Sequence, residues 1–242
     1  MTRSEVGRSV GDADHKSDGD PAAPDAVLFD LDGTLCSYER PSSVVLEIAF
    51  ERLGVEPCFE MADFHARYVE FLADSADGYE LYERCFVALA RDAGRDAAFG
   101  RDLTRAFHDE RAPDELRALP GARAALDALA GAYRLGLVTN GHPDLQHQKL
   151  RTLGVADAFE TIVFAGYETA AKPDPEPFRR ALRALDTTPD RAVYVGNSPS
   201  IDVAGAQAAG LRAVWLATDG VRPRPHPEYV VESLDELREP PW

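Results

Sequence analysis

Short apolar runs alternate with amphipathic stretches along most of the chain. The runs have no regular polar alternation, which is typical of parallel strands covered on both faces; they lie at 26–29, 135–138, 161–164, 192–195 and 213–216. Helical patterns separate them, for example at 123–129 and 175–185. Gly210 is expected to end a helix just before the last run. The pattern predicts a doubly wound, Rossmann-like α/β fold with a parallel sheet.

A long stretch separates the first predicted strand from the second. It contains about a hundred residues, far more than one crossover helix requires. Its apolar residues recur at helical spacing and predict a bundle of about four helices. It is rich in aromatic residues, which we interpret as the core of this bundle rather than as a ligand-binding box. We therefore expect a helical cap domain at 38–113, inserted into an α/β core domain formed by 26–37 and 114–242.

Residues 1–25 contain almost no apolar side chains, so burial could not offset the entropy lost on ordering them. We expect a disordered acidic tail here. The tail has neither the apolar stretch of a signal peptide nor the basic character of a transit peptide. No apolar run in the chain is long enough to span a bilayer. These features together indicate a cytoplasmic protein.

Charge changes the picture of possible partners. The chain has 42 acidic and 26 basic residues, a net charge of −16, and only three of the basic residues are lysine. Such a field repels nucleic acid and anionic membrane surfaces, so neither is expected as a partner. An acid excess with few lysines resembles halophilic proteins, in which salt screens the self-repulsion of the fold. A high-GC genome and an ordinary acidic protein are the alternative.

Two carboxylates follow the first predicted strand. Asp30 and Asp32 lie at its carboxyl end, where doubly wound sheets bind their ligands. Repulsion between nearby carboxylates raises one carboxyl pKa and leaves the other group ionised. The pair can therefore supply a nucleophile or metal ligand together with a proton donor, and Gly33 permits the sharp turn that follows. A simple Asp/Gly turn is the alternative.

Further polar residues follow the later strands. Thr139 and Asn140 offer a hydroxyl and backbone amides to a phosphoryl group. Lys172 has a compact ammonium that can balance clustered carboxylates and a phosphoryl group. Asp202 is a further carboxylate, with Asn197 as a neutral oxygen donor nearby. Oxygen donors without accompanying histidine or cysteine favour Mg2+, although each of these signals is weak alone.

The segment DLDGTL at 30–35, followed in order by the later polar residues, resembles the haloacid dehalogenase superfamily. The similar subgroup carries a helical cap after the first motif, and the resemblance covers about residues 26–235. It implies a Mg2+-dependent phosphatase that acts on a small phosphate ester through a covalent aspartyl-phosphate.

The resemblance also implies a role for each residue. Asp30 would attack phosphorus, while Asp32 would protonate the leaving oxygen and later deprotonate the attacking water. The backbone carbonyl of Asp32 would also bind the metal. Thr139 and the amide of Asn140 would hold the transferring oxygens, and Lys172 would steady Asp30 and the developing charge.

Asp202 would anchor Mg2+ together with Asp30, which lowers the repulsion between an anionic nucleophile and an anionic substrate. Members of the family often carry Asp where this chain has Asn197. Two carboxylates then remain at the metal where the usual pattern places three. Because Asn197 can still donate a carbonyl oxygen, we expect weakened Mg2+ binding rather than none.

Two other interpretations stay open. The dehalogenase branch of the superfamily also uses an aspartate nucleophile, but it attacks carbon without Mg2+; phosphomutase chemistry occurs in the same superfamily. Asp32 favours the phosphatase, because the dehalogenase branch usually lacks this second carboxylate. A noncatalytic binding or regulatory module is the alternative of another class, and Asn197 is its only support.

The charge of the predicted cap limits the range of expected substrates. Residues 38–113 include 16 acidic and nine basic residues, which disfavours polyphosphates. A small phosphomonoester, such as phosphoglycolate or a sugar phosphate, fits better. The protein that acts on it is expected to be a monomer or a homodimer.

Three other residues near the motifs are candidates for chemistry. Cys36 is expected to be an apolar filler under the cap rather than a nucleophile, and the three cysteines lack the spacing of disulfides or a zinc site. His142 and His147 follow Thr139 and Asn140, where they could touch the substrate. We expect them to be solvated helix positions instead.

Overall fold

The computed structural model describes residues 23–111, 115–217 and 224–242. Residues 1–22 of the predicted tail lie outside the described residues, as does the predicted domain boundary between 113 and 114.

Six of the eight strands in the described residues form one parallel sheet. The strands are β1 (Ala26–Phe29), β2 (Cys36–Tyr38), β3 (Leu116–Ala118), β4 (Arg134–Asn140), β5 (Thr161–Ala165), β6 (Ala192–Gly196), β7 (Arg212–Leu216) and β8 (Tyr229–Val231). The sheet has the order β5-β4-β1-β6-β7-β8, with β1 near its centre. Phe29 pairs with Leu137 of β4 and Val195 of β6, so these strands end beside one another.

Helices cover both faces of the sheet. They are α6 (Ala122–Leu129), α7 (Pro143–Leu153), α8 (Glu176–Ala184) and α9 (Ala204–Ala209). Val27 and Phe29 of β1 pack in the layer that contains α6 and α7, whereas Ala26 and Leu28 pack with α8 and α9. This arrangement explains the absence of polar alternation in the strand and confirms the doubly wound α/β prediction. Gly210 ends α9 in a left-handed conformation, as predicted.

In the described part of the segment between β2 and β3 there are five further helices. They are α1 (Ser42–Arg52), α2 (Met61–Arg67), α3 (Val69–Leu72), α4 (Gly78–Asp92) and α5 (Ala97–Glu110). They enclose an apolar cluster of their own, which includes Phe50, Phe64, Phe86 and Phe107. The bundle was predicted to have about four helices, and the described residues contain five, because Tyr68 separates α2 from α3.

The helical segment is joined to the sheet through β2 and β3. These short strands pair antiparallel, with Cys36 opposite Ala118 and Tyr38 opposite Leu116. Beside them, Arg40 forms ion pairs with Glu110 and Glu115. The two chain crossings therefore run next to each other and fix the helical segment above the carboxyl edge of the sheet. Among the described residues, no helix has the length and apolar character needed to cross a bilayer.

Candidate active site

The structure brings all of the predicted site residues together in one cavity. The cavity has a volume of about 950 Å³ and lies between the carboxyl edge of the sheet and the helical segment. Its lining includes Asp30, Asp32, Thr139, Asn140, Lys172, Asn197 and Asp202. These residues lie at the carboxyl end of β4 or in the segments that follow β1, β5 and β6, and the parallel order of the sheet places the ends of those strands side by side.

A buried cluster of charges lies at the floor of the cavity. The Nζ atom of Lys172 is 2.7 Å from Oδ1 of Asp30 and 2.8 Å from Oδ1 of Asp202. It also donates to the Tyr194 hydroxyl at 2.7 Å, and that hydroxyl donates to the carbonyl oxygen of Val138 at 2.9 Å. All three charged side chains are buried. Because one ammonium faces two carboxylates, the ionised cluster has an excess of negative charge.

Burial and charge act in opposite directions on this cluster. Burial raises the pKa of Asp30 above its usual value, and Lys172 opposes the rise by favouring the ionised carboxylate. Burial alone would lower the pKa of Lys172, but Asp202 and Asp30 outweigh it and raise that pKa. The ammonium therefore stays protonated between its two partners.

The turn after β6 sets the position of Asp202. The chain enters a helical turn at Pro199–Val203, and the backbone N–H of Ser198 donates to Oδ2 of Asp202 at 2.9 Å. A Cβ atom on Gly196 would lie 2.4 Å from Cβ of Asp202, so only glycine leaves room for the carboxylate. Asp202 does not cap α9, whose N-cap residue is Val203.

Asp32 is held by α7, a contact that sequence reasoning missed. Lys149 Nζ lies 2.7 Å from both carboxylate oxygens of Asp32, whose side chain is 44% exposed. Gln146 donates to Oδ2 of Asp32 at 2.9 Å and lies 2.7 Å from Oγ1 of Thr139. Partial desolvation in the cavity opposes ionisation, but the charge of Lys149 and these hydrogen bonds lower the pKa of Asp32 below its usual value.

The side chain of Asn140 positions Lys172, which the sequence also did not reveal. Its Oδ1 accepts from the backbone N–H of Lys172 at 2.8 Å, and its Nδ2 donates to the carbonyl oxygen of Lys172 at 3.1 Å. Both backbone groups of the lysine are therefore fixed from β4. This clamp holds the loop that carries the ammonium against the sheet edge.

Asn197 contributes an amide oxygen close to Asp30. The Oγ1 atom of Thr34 is 3.2 Å from Oδ1 of Asn197 and 3.3 Å from Oδ2 of Asp30. Gly33 has a φ of +79°, and a Cβ atom there would lie 2.5 Å from Nδ2 of Asn197. Glycine at this position therefore permits both the turn and the close approach of the amide.

Aromatic side chains form the opposite wall of the cavity. Phe86 is fully buried within the helical cluster, as expected for a core residue. Phe64, Tyr82 and Phe107 also pack in that cluster, but they line the cavity as well. The aromatic residues were predicted to form the core of the bundle rather than a ligand-binding box. In the structure the two are not exclusive, because the same layer of rings packs in the core and lines the cavity.

The two histidines and the cysteine near the motifs differ in their burial. His142 is buried, not solvated: it accepts from the N–H of Asp144 at the start of α7, and its Nε2 lies 3.2 Å from the carbonyl oxygen of Ser75. That prediction was wrong because the helical segment covers this end of α7. His147 is exposed, as expected. Cys36 is an apolar-layer residue, and burial raises the pKa of its thiol to about 12, which suppresses nucleophilic reactivity.

Comparisons with known proteins agree with this geometry. The chain is 36% identical over 228 residues to phosphoserine phosphatase of Thermus thermophilus, which covers 81% of this chain and 90% of that protein. It is 37% identical over 201 residues to phosphoglycolate phosphatase of Rhodospirillum rubrum, covering 80% of each. A crystal structure of 2-haloacid dehalogenase from Pseudomonas syringae pv. tomato has a TM-score of 0.61 at 29% identity, covering 89% of this chain and 97% of that one.

A family model for haloacid dehalogenase-like hydrolases matches residues 24–210, which include every predicted site residue. The matched range also contains β1, β4, β5 and β6 of the parallel sheet. The chain therefore belongs to the haloacid dehalogenase-like hydrolase family.

Proposed function

We propose that the protein is a Mg2+-dependent phosphomonoesterase that hydrolyses a small phosphorylated metabolite through an aspartyl-phosphate on Asp30. The buried cluster of Asp30, Lys172 and Asp202 is the observation that carries this proposal. A carboxylate that could act as a nucleophile and a fixed ammonium lie together at the floor of one cavity, which supports this role for Asp30. The names of the two phosphatase relatives support the same reaction.

In the first half of the reaction, a carboxylate oxygen of Asp30 attacks phosphorus, and the bond from phosphorus to the ester oxygen breaks. Lys172 steadies the nucleophile and the charge on the transferring oxygens. Thr139, whose hydroxyl lies 2.7 Å from Gln146, and the backbone amide of Asn140 bind the same oxygens. In the second half, water attacks the phosphoryl group, phosphate leaves and Asp30 is restored.

Asp32 moves the protons in both halves. Lys149 favours its ionised form, which suits the deprotonation of water in the second half. In the first half Asp32 must carry a proton for the leaving oxygen. An entering phosphoryl anion raises the pKa of a neighbouring carboxyl group, so substrate binding favours uptake of that proton.

The oxygen donors of the site fit Mg2+. No group of three or more His, Cys, Asp or Glu side chains in the described part of the chain is arranged to hold a metal. Amide and backbone oxygens must therefore complete the set. The carboxylates of Asp30 and Asp202, the carbonyl of Asp32 and the amide oxygen of Asn197 would hold the ion. When bound, Mg2+ supplies the positive charge that the buried cluster lacks and polarises the phosphoryl group.

A 2-haloacid dehalogenase is the second candidate function. It is supported by the structural similarity to a protein of that name and by Asn197, which stands where phosphatases of the superfamily often carry Asp. The contacts of Asp32 with Lys149 and Gln146 favour the phosphomonoesterase, because they hold a proton-transfer group beside the nucleophile. Phosphomutase chemistry would use the same nucleophile. A noncatalytic module has little support, since every predicted catalytic side chain lines the cavity.

Composition supports a proposal about the setting of the reaction. A net charge of −16 disfavours nucleic-acid and membrane partners, and the scarcity of lysine favours a saline cytoplasm. We infer a cytoplasmic monomer or homodimer whose partner is a small phosphate ester.

The identity of the reaction is tested by measuring two products. We expect the protein to release phosphate from 4-nitrophenyl phosphate with Mg2+ and no chloride from 2-chloropropionate. Asp30→Asn should lower phosphate release by on the order of 10³-fold or more, because the nucleophile is lost. Asp157→Asn, which changes an exposed aspartate outside the cavity, is the matched control and should retain the native rate. Chloride release without Mg2+, or full activity of Asp30→Asn, would contradict the proposal.

The role of Asp32 is tested by varying the leaving group. Asp32→Asn should lower kcat/KM for an alkyl phosphate by about 10²- to 10⁴-fold. The loss should be smaller for 4-nitrophenyl phosphate, whose leaving group departs without a proton. Because kcat/KM reports the steps up to the first irreversible one, the comparison isolates transfer to Asp30 from the later hydrolysis. Equal losses for the two substrates would argue against Asp32 as the proton donor.

Asn197→Asp tests the composition of the proposed metal site. The variant adds a third carboxylate, so Mg2+ should bind more tightly, by about tenfold, because opposite charges attract more strongly at short range. Calorimetric titration of Mg2+ into the native and variant proteins measures the affinity. The rise in Tm on adding Mg2+ should also be larger for the variant. Unchanged or weaker Mg2+ affinity would show that position 197 does not face the ion.

A further inference from the structure

A third cation, besides Lys172 and Lys149, lines the cavity. Arg111 follows the last residue of α5 and lines the cavity together with Tyr38 and Ser42. Its guanidinium carbon lies 4.3 Å from the centre of the Tyr38 ring, and Nη2 donates to Oγ of Ser42 at 2.7 Å. The ring of Phe107 lies on another side, 5.1 Å from the same carbon. The guanidinium is therefore held in place by aromatic and hydroxyl contacts.

Within the described ranges, the charge of Arg111 is not balanced by a counter-ion. No carboxylate among the described residues forms an ion pair with it, in contrast to Arg40, which pairs with Glu110 and Glu115. The Nε atom of Arg111 is buried without a hydrogen-bond partner in the described structure, and the same is true of Nε2 of His108, which also lines the cavity. A buried donor without a partner is costly, so these atoms indicate that a ligand completes them.

Two tyrosines connect this region to the reacting centre. Burial raises the pKa of Tyr82, and the positive charges of Arg111 and Lys149 both oppose that rise, so both cations lie near this phenol. Tyr38 contacts Arg111, and its phenol also contributes to the raised pKa of Lys149, so this side chain lies near both cations. Since Lys149 lies 2.7 Å from Asp32, the cavity continues from the leaving-oxygen side of the site toward Arg111.

We propose that Arg111 binds a carboxylate on the leaving group, so that the substrate class is a small phosphate monoester of a hydroxy acid. This inference rests on the proposed function, because the ester must place its phosphoryl group at Asp30. A guanidinium presents two parallel N–H donors that match the two oxygens of a carboxylate. The aromatic walls exclude water and so strengthen this interaction.

The charge of the surroundings limits the ligand to a single added anion. The helical segment has more acidic than basic residues, and Lys149 is already paired with Asp32. One carboxylate matches the one guanidinium that the described residues leave without an ion pair at the cavity wall. A second phosphate on the leaving group would bring additional negative charge into an acidic environment, which is unfavourable.

The experiment compares esters that differ only in the carboxylate. Phosphoglycolate is paired with 2-hydroxyethyl phosphate, and 3-phosphoglycerate is paired with glycerol 3-phosphate. For at least one pair, the native protein should show a kcat/KM about tenfold or more higher for the carboxylate ester. Arg111→Gln should reduce that ratio to about one by raising the KM of the carboxylate ester, because the charge-assisted contact is lost.

Two further variants make the result specific. Arg101→Gln changes an exposed arginine within α5, outside the cavity, and should keep the native ratio. Arg111→Lys keeps the charge but loses the two-pronged geometry, so it should keep part of the preference. The ratios of the native protein and of Arg111→Lys test the proposal even if Arg111→Gln does not fold.

Equal kcat/KM values for both members of both pairs would overturn this inference while leaving the proposed phosphomonoesterase intact. A preference that persists in Arg111→Gln would overturn it as well. If neither the four esters nor 4-nitrophenyl phosphate release phosphate with Mg2+, the proposed function fails and the assignment of Arg111 fails with it.

Discussion

The site depends on one buried interaction, the ammonium of Lys172 between the carboxylates of Asp30 and Asp202. Removing one partner from such a buried cluster leaves an uncompensated charge, which typically costs about 3–5 kcal/mol. The cluster forms only when three segments that are far apart in the sequence lie close together in the fold. The register of β1 with β6 brings Asp30 beside Gly196, and the absence of a side chain at Gly196 leaves space for Asp202. Asn140 fixes the backbone of the lysine from a third strand.

The balance between positive and negative side chains changes from the floor of the cavity to its aromatic wall. At the floor, two carboxylates share one ammonium, so the ionised cluster is short of positive charge. Asp32 is more exposed and has Lys149 as its own counter-ion. Arg111 lies at the aromatic wall with no counter-ion among the described residues. The arrangement gives each part of a phosphate ester a different electrostatic environment.

The sequence was sufficient for the parts of the fold that are locally encoded. The apolar runs identified five of the six strands of the parallel sheet to within about two residues, because strands buried on both faces have a distinct composition. It missed β2, β3 and β8, which are three residues long and leave little periodicity to detect. The site residues near the strand ends could be predicted because the carboxyl ends of parallel strands lie at the same edge of the sheet.

The contacts between elements could not be obtained in the same way. Lys149 was visible as one of three lysines and Gln146 lies three residues before it, which places both on one helix face. Which carboxylate that face meets depends on the packing of α7, and not on local pattern. The same reason explains His142, whose burial comes from Ser75 in a distant part of the chain. The unpaired guanidinium of Arg111 likewise becomes evident only once Tyr38 and Ser42 are placed around it.

The most direct test of the account is whether Asp30 becomes phosphorylated during turnover. The native protein and Asp32→Asn would be mixed with 4-nitrophenyl phosphate and Mg2+, quenched in acid and digested for mass spectrometry. We expect one phosphoryl group on the peptide that contains Asp30, with fragmentation placing it on that residue. Its amount should be larger in Asp32→Asn, where hydrolysis of the intermediate is slowed. Phosphate release during turnover with no phosphorylated Asp30 in either protein would contradict the account.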